Sequence, residues 1–146
     1  METLIAIQTK APNAKIVLMG YPPLISDSGS CLRTGTIGLS ADSADWIDGT
    51  AITLAGAMLA AVNDANEQGV RAWWSEPADD FAGKAVCGAP EQVHGIVKTL
   101  TNSDDPVKDW PIIRNYGLSA QSFHPKIGGA RLYADSLENT LANMGL

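Results

Sequence analysis

The sequence has few of the residues that mark specialised classes of protein. Of its 146 residues, 18% are charged and 6% are aromatic, and there are only two cysteines and two histidines. The ten basic residues are scattered among 16 acidic ones, which gives a net charge of -6. Nucleic acids and anionic membranes are bound through clustered Lys and Arg, so neither is an expected partner. Small molecules or another protein are the expected partners.

Long apolar stretches are also missing. The longest run, Ala51 to Val62, is interrupted by Thr53 and Gly56 and is far shorter than the roughly 20 residues that span a bilayer. No membrane span is therefore expected. The first residues lack a basic leader and a small-residue cleavage site, so we expect no signal peptide in this chain. The length and the 45% hydrophobic content predict a single globular domain over residues 1–146.

The two cysteines, Cys31 and Cys87, both fall in predicted loops. Neither belongs to a CxxC motif or has a histidine pair nearby, so a zinc site at the cysteines is not expected. No other metal or cofactor is expected either. The two thiols either form one disulfide, which would imply an oxidising compartment, or stay free, and compartment rules leave both alternatives open.

The first half of the chain has the pattern of a βαβ unit. Lys15 to Gly20 is a short apolar run that ends at a turn, which predicts a buried strand. A helix is predicted from Trp46, with Ser43 or Asp45 as its cap and Gly69 just past its end. Its expected apolar face comprises Ile47, Ala51, Leu54, Met58, Ala61 and Ala65.

Val70 to Trp74 then predicts a second strand, parallel to the first. Ligands of open α/β sheets bind at the carboxyl ends of the strands, so chemistry is expected in the loops that begin at Tyr21 and Ser75. Two parallel strands cannot protect both sheet edges. We therefore expect either a further strand, a second polypeptide or a second copy of this chain beside them.

The C-terminal segment combines a histidine with a predicted helix. Pro125 restricts His124 to extended backbone and is favoured in a first helical turn, which predicts His124 at a helix threshold. There the helix dipole would favour a neutral imidazole, as a general base requires. The alternative is a histidine that only caps the helix or supports a loop. The expected face of this helix on the sheet comprises Ile127, Ala130, Ala134, Leu137, Leu141 and Met144.

The residues around His124 resemble a known family. The run from Ser122 to Gly129, with Tyr133 and Ala134 following, is similar to the histidine block of the SGNH hydrolases, also called GDSL-type lipases and esterases, especially their secreted actinobacterial branch. Residues 11–22 and the segment from Phe81 to Cys87 agree with that family in order and spacing. The resemblance covers nearly the whole chain, but only the C-terminal part of the family's domain.

The resemblance implies a three-layer α/β/α fold with a parallel sheet, here an incomplete C-terminal portion, and a secreted serine esterase acting on small-molecule esters. His124 matches the catalytic histidine, which acts as base and then as acid. The blocks that carry the nucleophilic serine and the oxyanion-hole glycine and asparagine have no counterpart in this sequence. Asp27 to Ser30 is superficially similar to the serine block, but we interpret it as a turn.

The chain differs from many members of this family at the position of the acid that orients the histidine. Many members have Asp three residues before the histidine, whereas this chain has Gln121. A main-chain carbonyl can hold the imidazole in the required tautomer instead, as it does in the branch that the chain resembles. We expect the backbone carbonyl of Ser122, or that of Gln121, to orient His124.

The remaining polar candidates are interpreted as structural. His94 is expected on a short helix, exposed to solvent, because isolated polar residues there are usually exposed. The pairs Asp79-Asp80 and Asp104-Asp105 are expected to be solvated loop charges. Trp73 and Trp74 should point to opposite faces of their strand, one into the core and the other toward a substrate cleft.

Two hypotheses follow for the function. In the first, the chain is the C-terminal part of an ester hydrolase and supplies His124 to a serine on an N-terminal segment or a second chain, so that it is inactive alone. In the second, it is a non-catalytic binding or self-assembling module derived from a hydrolase, which closes its sheet by forming a homo-oligomer.

Overall fold

The computed structural model describes residues 1–26, 31–32, 39–97 and 121–146. This part of the chain contains three helices and two strands. In chain order they are α1 (Glu2–Lys10), β1 (Ile16–Met19), α2 (Ala41–Glu67), β2 (Ala72–Ser75) and α3 (Ile127–Asn143). The expected mixed α/β class is confirmed. Helix α1 was not predicted, because the first residues lack a clear helical period.

Strands β1 and β2 form the parallel pair that the sequence predicts. Ile16 lies opposite Ala72, and Leu18 lies opposite Trp74. Each observed strand has four residues. Both are shorter than predicted, and β2 begins two residues later than expected because Val70 and Arg71 connect the turn at Gln68 and Gly69 to the strand. The βαβ unit is confirmed.

Helix α2 begins five residues before the predicted start at Trp46. The predicted caps, Ser43 and Asp45, lie inside the helix, and the side chain of Ser40 accepts the hydrogen bond from the Ser43 backbone N–H at 3.1 Å. The apolar period missed this first turn because it contains mainly short polar residues. Leu54, expected on the buried face, is exposed.

On length and composition alone, α2 is also long and apolar enough to cross a membrane. A single helix of this kind is weak evidence, because a mostly buried core helix and a signal sequence pass the same test; in α2, 11% of the apolar window is buried. The helix packs against β2 and α1. The absence of a membrane span therefore stays a prediction.

Helices cover both faces of the small sheet. One face carries a set of apolar residues, here called the sheet cluster, in which α1, α2 and the sheet meet: Leu4, Val62, Ala65, Val70 and Ala72, flanked by Ile5, Ile16, Leu18 and Trp74. Helix α3 lies on the other face, where the Ser136 and Ser75 hydroxyls, both buried, are 3.0 Å apart. The helix, sheet, helix order of layers is that of a small α/β domain.

A second apolar core lies beyond the carboxyl ends of the strands. This loop cluster comprises Ile25, Leu32, Ala44, Phe81, Ala85, Val86 and Val93. Ile25 and Val86 pair as an isolated parallel bridge within this cluster. Asp48 of α2 accepts a hydrogen bond from the Leu24 backbone N–H at 3.0 Å and so holds this loop to the helix.

The face of α3 that packs on the protein is only partly the predicted one. Gly129 and Ser136 are its buried residues, and Leu132 and Tyr133 pack against the loop cluster. Ile127, placed on the packing face by its period, is 80% exposed. The prediction was wrong in the first turns because small residues, which give little apolar signal, make the close contact there. A Cβ on Gly129 would lie 2.3 Å from the Gln92 backbone oxygen.

Candidate active site

The histidine loop lies on the carboxyl-end side of the sheet. Ser136 meets Ser75 at the end of β2, and the Lys15 ammonium group donates to the Met144 carbonyl at 3.4 Å just before β1 begins. Helix α3 therefore runs antiparallel to the strands. Its N-terminal end, with His124, points to the side where open α/β sheets hold their ligands.

The imidazole of His124 is exposed, and one of its nitrogens is anchored. Nδ1 lies 3.2 Å from the Ser122 backbone oxygen, while the carbonyl of Gln121 accepts the His124 backbone N–H at 3.0 Å. A carbonyl only accepts, so Nδ1 carries the proton and the lone pair of the neutral ring lies on Nε2. Of the two carbonyls expected to orient the ring, the Ser122 oxygen makes the contact. The catalytic role of this contact stays a prediction.

The position of His124 relative to the start of α3 differs from the expected one. Helix α3 begins at Ile127 with Lys126 as its cap, so Pro125 precedes the helix rather than occupying its first turn. His124 is separated from the helix N-terminus by two residues. The expected effect of the helix dipole on the imidazole stays a prediction.

His94 does not lie on a helix, contrary to the expectation. It belongs to an extended segment that pairs with the histidine loop, with Val93 opposite Pro125 in an antiparallel bridge. The His94 backbone N–H donates to the His124 carbonyl at 2.8 Å, and the Phe123 N–H donates to the His94 carbonyl at 2.9 Å. Phe123 and His124 on one segment thus lie opposite the single residue His94 on the other, which is the arrangement of a β-bulge.

Phe123 occupies the strained position of this bulge. Its φ is 61°, in the left-handed region that normally requires glycine. The ring of Phe123 packs against the loop cluster, which holds the backbone in place. Bulges occur beside active sites because they redirect a side chain, and here the residue that follows is His124.

The polar surroundings of the loop are sparse. Lys126 and Glu91 form an ion pair at 3.3 Å between the two paired segments. In the described part of the chain no carboxylate or hydroxyl group is hydrogen-bonded to Nε2 of His124. Ser122 uses its own hydroxyl to accept the Val97 backbone N–H at 3.1 Å. The ring nitrogen that would take a proton is therefore unpaired and accessible.

Tyr133 and Phe81 join α3 to the loop cluster beneath the histidine loop. Their rings are 5.1 Å apart at 63°, in an edge-to-face contact. Burial, with a smaller contribution from the nearby Tyr21 hydroxyl, raises the pKa of Tyr133 to about 12. The phenol therefore stays neutral at physiological pH and acts here as a packing group.

Two concave regions lie near the strands. One, of about 260 Å³, is lined mainly by apolar residues at the carboxyl edge and on α2: Tyr21, Pro23, Ile52, Ala55, Gly56, Leu59, Glu76 and Ala78. The other, of about 400 Å³, lies at β2 and includes both Trp73 and Trp74. Both tryptophans are half-buried, and Trp74 packs on the sheet cluster. The expected division, with one tryptophan in the core and the other lining a cleft, is not observed.

The remaining candidates have simpler outcomes. Cys31 and Cys87 form a disulfide, which settles the alternative that the sequence left open. Asp79 is exposed and Asp80 is partly exposed, whereas Asp27 to Ser30 and Asp104-Asp105 lie outside the described residues. Within the described ranges, no three or more His, Cys, Asp or Glu side chains are grouped to hold a metal ion. The bulge was not predicted from the sequence. The two histidines lie in separate segments, and no local pattern indicates that these segments pair.

No family model matches this chain, and no curated protein matches it by sequence.

Proposed function

We propose that this chain is the C-terminal part of a serine ester hydrolase of the SGNH type and that His124 is its general base. The observation that carries the proposal is the state of the imidazole. It is exposed on the carboxyl-end side of the sheet, with Nδ1 held by the Ser122 carbonyl and Nε2 without a hydrogen-bond partner among the described residues. A base needs this tautomer before it can accept a proton from a nucleophile.

The chemistry requires a serine from outside this chain. As that hydroxyl attacks the ester carbonyl, Nε2 of His124 takes its proton, and the Ser122 carbonyl stabilises the N–H on the opposite side of the ring. The imidazolium then returns the proton to the departing alcohol, which leaves an acyl-enzyme. Water, activated in the same way, releases the acid and restores the serine.

The sheet favours one position for the serine-bearing polypeptide. In the first strand segment, residues 16, 18 and 20 direct their backbone groups toward β2. The Ile16 N–H, for example, donates to the carbonyl of Arg71, just before β2, at 2.9 Å. In a parallel ladder the intervening Val17 and Met19 direct their backbone groups to the other edge. That edge has no paired strand within the part of the chain that the structure describes.

The start of the outer edge of β2 is covered by a side chain instead. The Asn66 amide accepts the Ala72 backbone N–H and donates to the Ala72 carbonyl, both at 2.9 Å. Within the described residues, the outward backbone groups of Ala72 are therefore paired, whereas those of Val17 and Met19 have no strand partner. Helices α1 and α2 share a face, so right-handed crossovers place a strand preceding α1 beside β1. We propose that a parallel strand of the serine-bearing polypeptide completes the sheet there.

The proposed location is outside the cytoplasm. The Cys31–Cys87 disulfide is consistent with an oxidising compartment, as is the secreted branch that the chain resembles.

The test is reconstitution. The chain is mixed with, or fused behind, the Gly-Asp-Ser half of an SGNH hydrolase, and p-nitrophenyl acetate hydrolysis is measured. We expect activity that falls by about 10²-fold or more in His124→Ala, as expected for loss of a general base. Glu138→Gln, an exposed change on α3, is the matched control and should leave the activity unchanged.

The chain alone provides the complementary measurement. We expect no esterase activity and no fluorophosphonate labelling, since the nucleophile belongs to the other half. Labelling of a serine of this chain would contradict the proposal, as would reconstituted activity that does not depend on His124.

A second function is favoured by the same free edge. A non-catalytic module would close β1 with a second copy of itself, and the large exposed side chains of α2, including Trp46 at 72% and Ile52 at 60%, would add apolar area. Sedimentation of the chain alone distinguishes this function. A stable dimer that excludes the serine-bearing half would favour the module over the enzyme.

A further inference from the structure

The two histidines of the chain are brought together by the bulge. The sequence contains only His94 and His124, 30 positions apart, yet the two residues are opposite each other on paired segments. Two backbone hydrogen bonds fix this arrangement: His94 N–H to His124 O at 2.8 Å and Phe123 N–H to His94 O at 2.9 Å. Their relative position is therefore set by backbone structure rather than by mobile side chains.

The pairing also determines which face the two imidazoles share. Val93 and Pro125 form the neighbouring cross-strand pair, and successive pairs alternate between the two faces of a ladder. The next pair, His94 and His124, therefore projects to the opposite face. His124 shares the position opposite His94 with Phe123 in the bulge, so the two histidines are cross-strand neighbours, a relation in which side chains interact.

The bonding of His124 resembles that of a metal ligand. Histidine ligands usually donate their second ring N–H to a carboxylate or a backbone carbonyl, which fixes the tautomer and the ring orientation. Nδ1 of His124 is bound in this way to the Ser122 oxygen, and Nε2 is unpaired. His124 is exposed and His94 partly so. Both residues are thus open to solvent, and water would fill the remaining positions around a bound cation.

We infer that His94 and His124 form a two-histidine binding site for a borderline divalent transition metal such as Zn²⁺. Neutral imidazole suits Zn²⁺, Ni²⁺ and Cu²⁺, whereas Mg²⁺ and Ca²⁺ require oxygen ligands. The Glu91 carboxylate is bonded to the Gly95 N–H and the Lys126 ammonium and is not needed as a ligand. Bound metal would occupy Nε2 of His124. If the proposed function holds, Zn²⁺ therefore inhibits the hydrolase, but the site itself does not depend on catalysis.

The test is Zn²⁺ binding to the chain alone, measured by calorimetry and by the ring proton signals of the two histidines. We expect one equivalent to bind and both histidine signals to change together. Single His94→Ala and His124→Ala variants should each weaken binding by about tenfold or more, because one imidazole loses the chelate advantage. Asp79→Asn, an exposed carboxylate elsewhere, is the control and should bind as the wild type does.

Several results would overturn the site. These are Zn²⁺ binding that persists in the double His94→Ala, His124→Ala variant, a shift of the His124 signal alone, and no saturable binding at millimolar Zn²⁺. Thermal unfolding of each variant ensures that the fold is retained, and Ca²⁺ should leave both histidine signals unchanged. The measurement uses no substrate, so its failure is distinguishable from failure of the esterase proposal.

Discussion

At the scale of single residues, the position of His124 depends on its neighbours more than on its own type. Phe123 holds a left-handed backbone conformation, its ring packs on the loop cluster, and its carboxyl neighbour is the histidine. The Ser122 carbonyl holds the ring of His124, and the Gln121 carbonyl accepts its backbone N–H. The sequence identified the histidine, but the strain that directs it comes from a phenylalanine whose type gives no indication of a positive φ.

The cost of this strain can be measured with two variants of Phe123. Both Phe123→Ala and Phe123→Gly remove the ring packed on the loop cluster, and we expect a loss of about 2 kcal/mol for this half-buried side chain. Only alanine retains the φ penalty, so Phe123→Gly should be more stable than Phe123→Ala by about 1 kcal/mol. Urea unfolding measures both. An alanine variant as stable as the glycine variant would show that the bulge is unstrained.

Tyr133 predicts a pH dependence at the alkaline end. Its pKa in the folded state is raised to about 12 by burial and then by Tyr21, above the unfolded value of about 10. The neutral phenol therefore contributes stability that is fully present below pH 10 and lost as the pH rises to about 12. Ultraviolet titration should show a late step for Tyr133, which is lost in Tyr133→Phe. If that variant keeps the late step, the assignment is wrong.

At the scale of elements, the two edges of the sheet differ. Strand β2 is protected on its outer side by a helix side chain, whereas β1 exposes alternate backbone groups. The period of α2 predicted its packing on the sheet, as confirmed by the buried Ala51 and Ala65. The edge closure by Asn66 was not predictable, because it depends on where the chain returns after Gly69 to begin β2.

Asn66 can be tested against a neighbouring asparagine. Asn66→Ala removes both hydrogen bonds to Ala72, so we expect a loss of about 1–2 kcal/mol of unfolding free energy and increased self-association through the exposed edge. Asn63→Ala is the matched control, because Asn63 lines the same cavity but makes no such bonds. Chemical denaturation and light scattering measure the two effects. Equal stability of the two variants would refute edge closure by Asn66.

At the scale of the whole molecule, two small cores support different parts. The sheet cluster joins α1, α2 and the strands, while the loop cluster lies below the histidine loop. The disulfide between Cys31 and Cys87 joins two loops beside the loop cluster and closes a chain separation of 56 residues. The segment that presents both histidines thus depends on packing and on one covalent link.

Reduction of the disulfide should therefore weaken the histidine loop. For a separation of 56 residues we expect a loss of about 4 kcal/mol in unfolding free energy from the freed chain entropy. Amide exchange should increase most around residues 85–97 and 121–126. The comparison is made between oxidised and reduced protein, with a Cys31→Ala, Cys87→Ala variant as the control, which should not respond to reductant. Unchanged exchange in the histidine loop would contradict this coupling.

The sequence alone determined the local elements and the candidate chemistry. Apolar runs and helical periods depend on nearby residues, so β1, β2, most of α2 and α3 were predicted, and Pro125 and its neighbours identified His124. The tertiary structure alone decided which groups meet: the bulge that places His94 opposite His124, the pairing of the cysteines and the closure of one sheet edge by Asn66. These contacts join residues far apart in the chain, and their formation depends on the packing of the entire fold rather than on any local pattern.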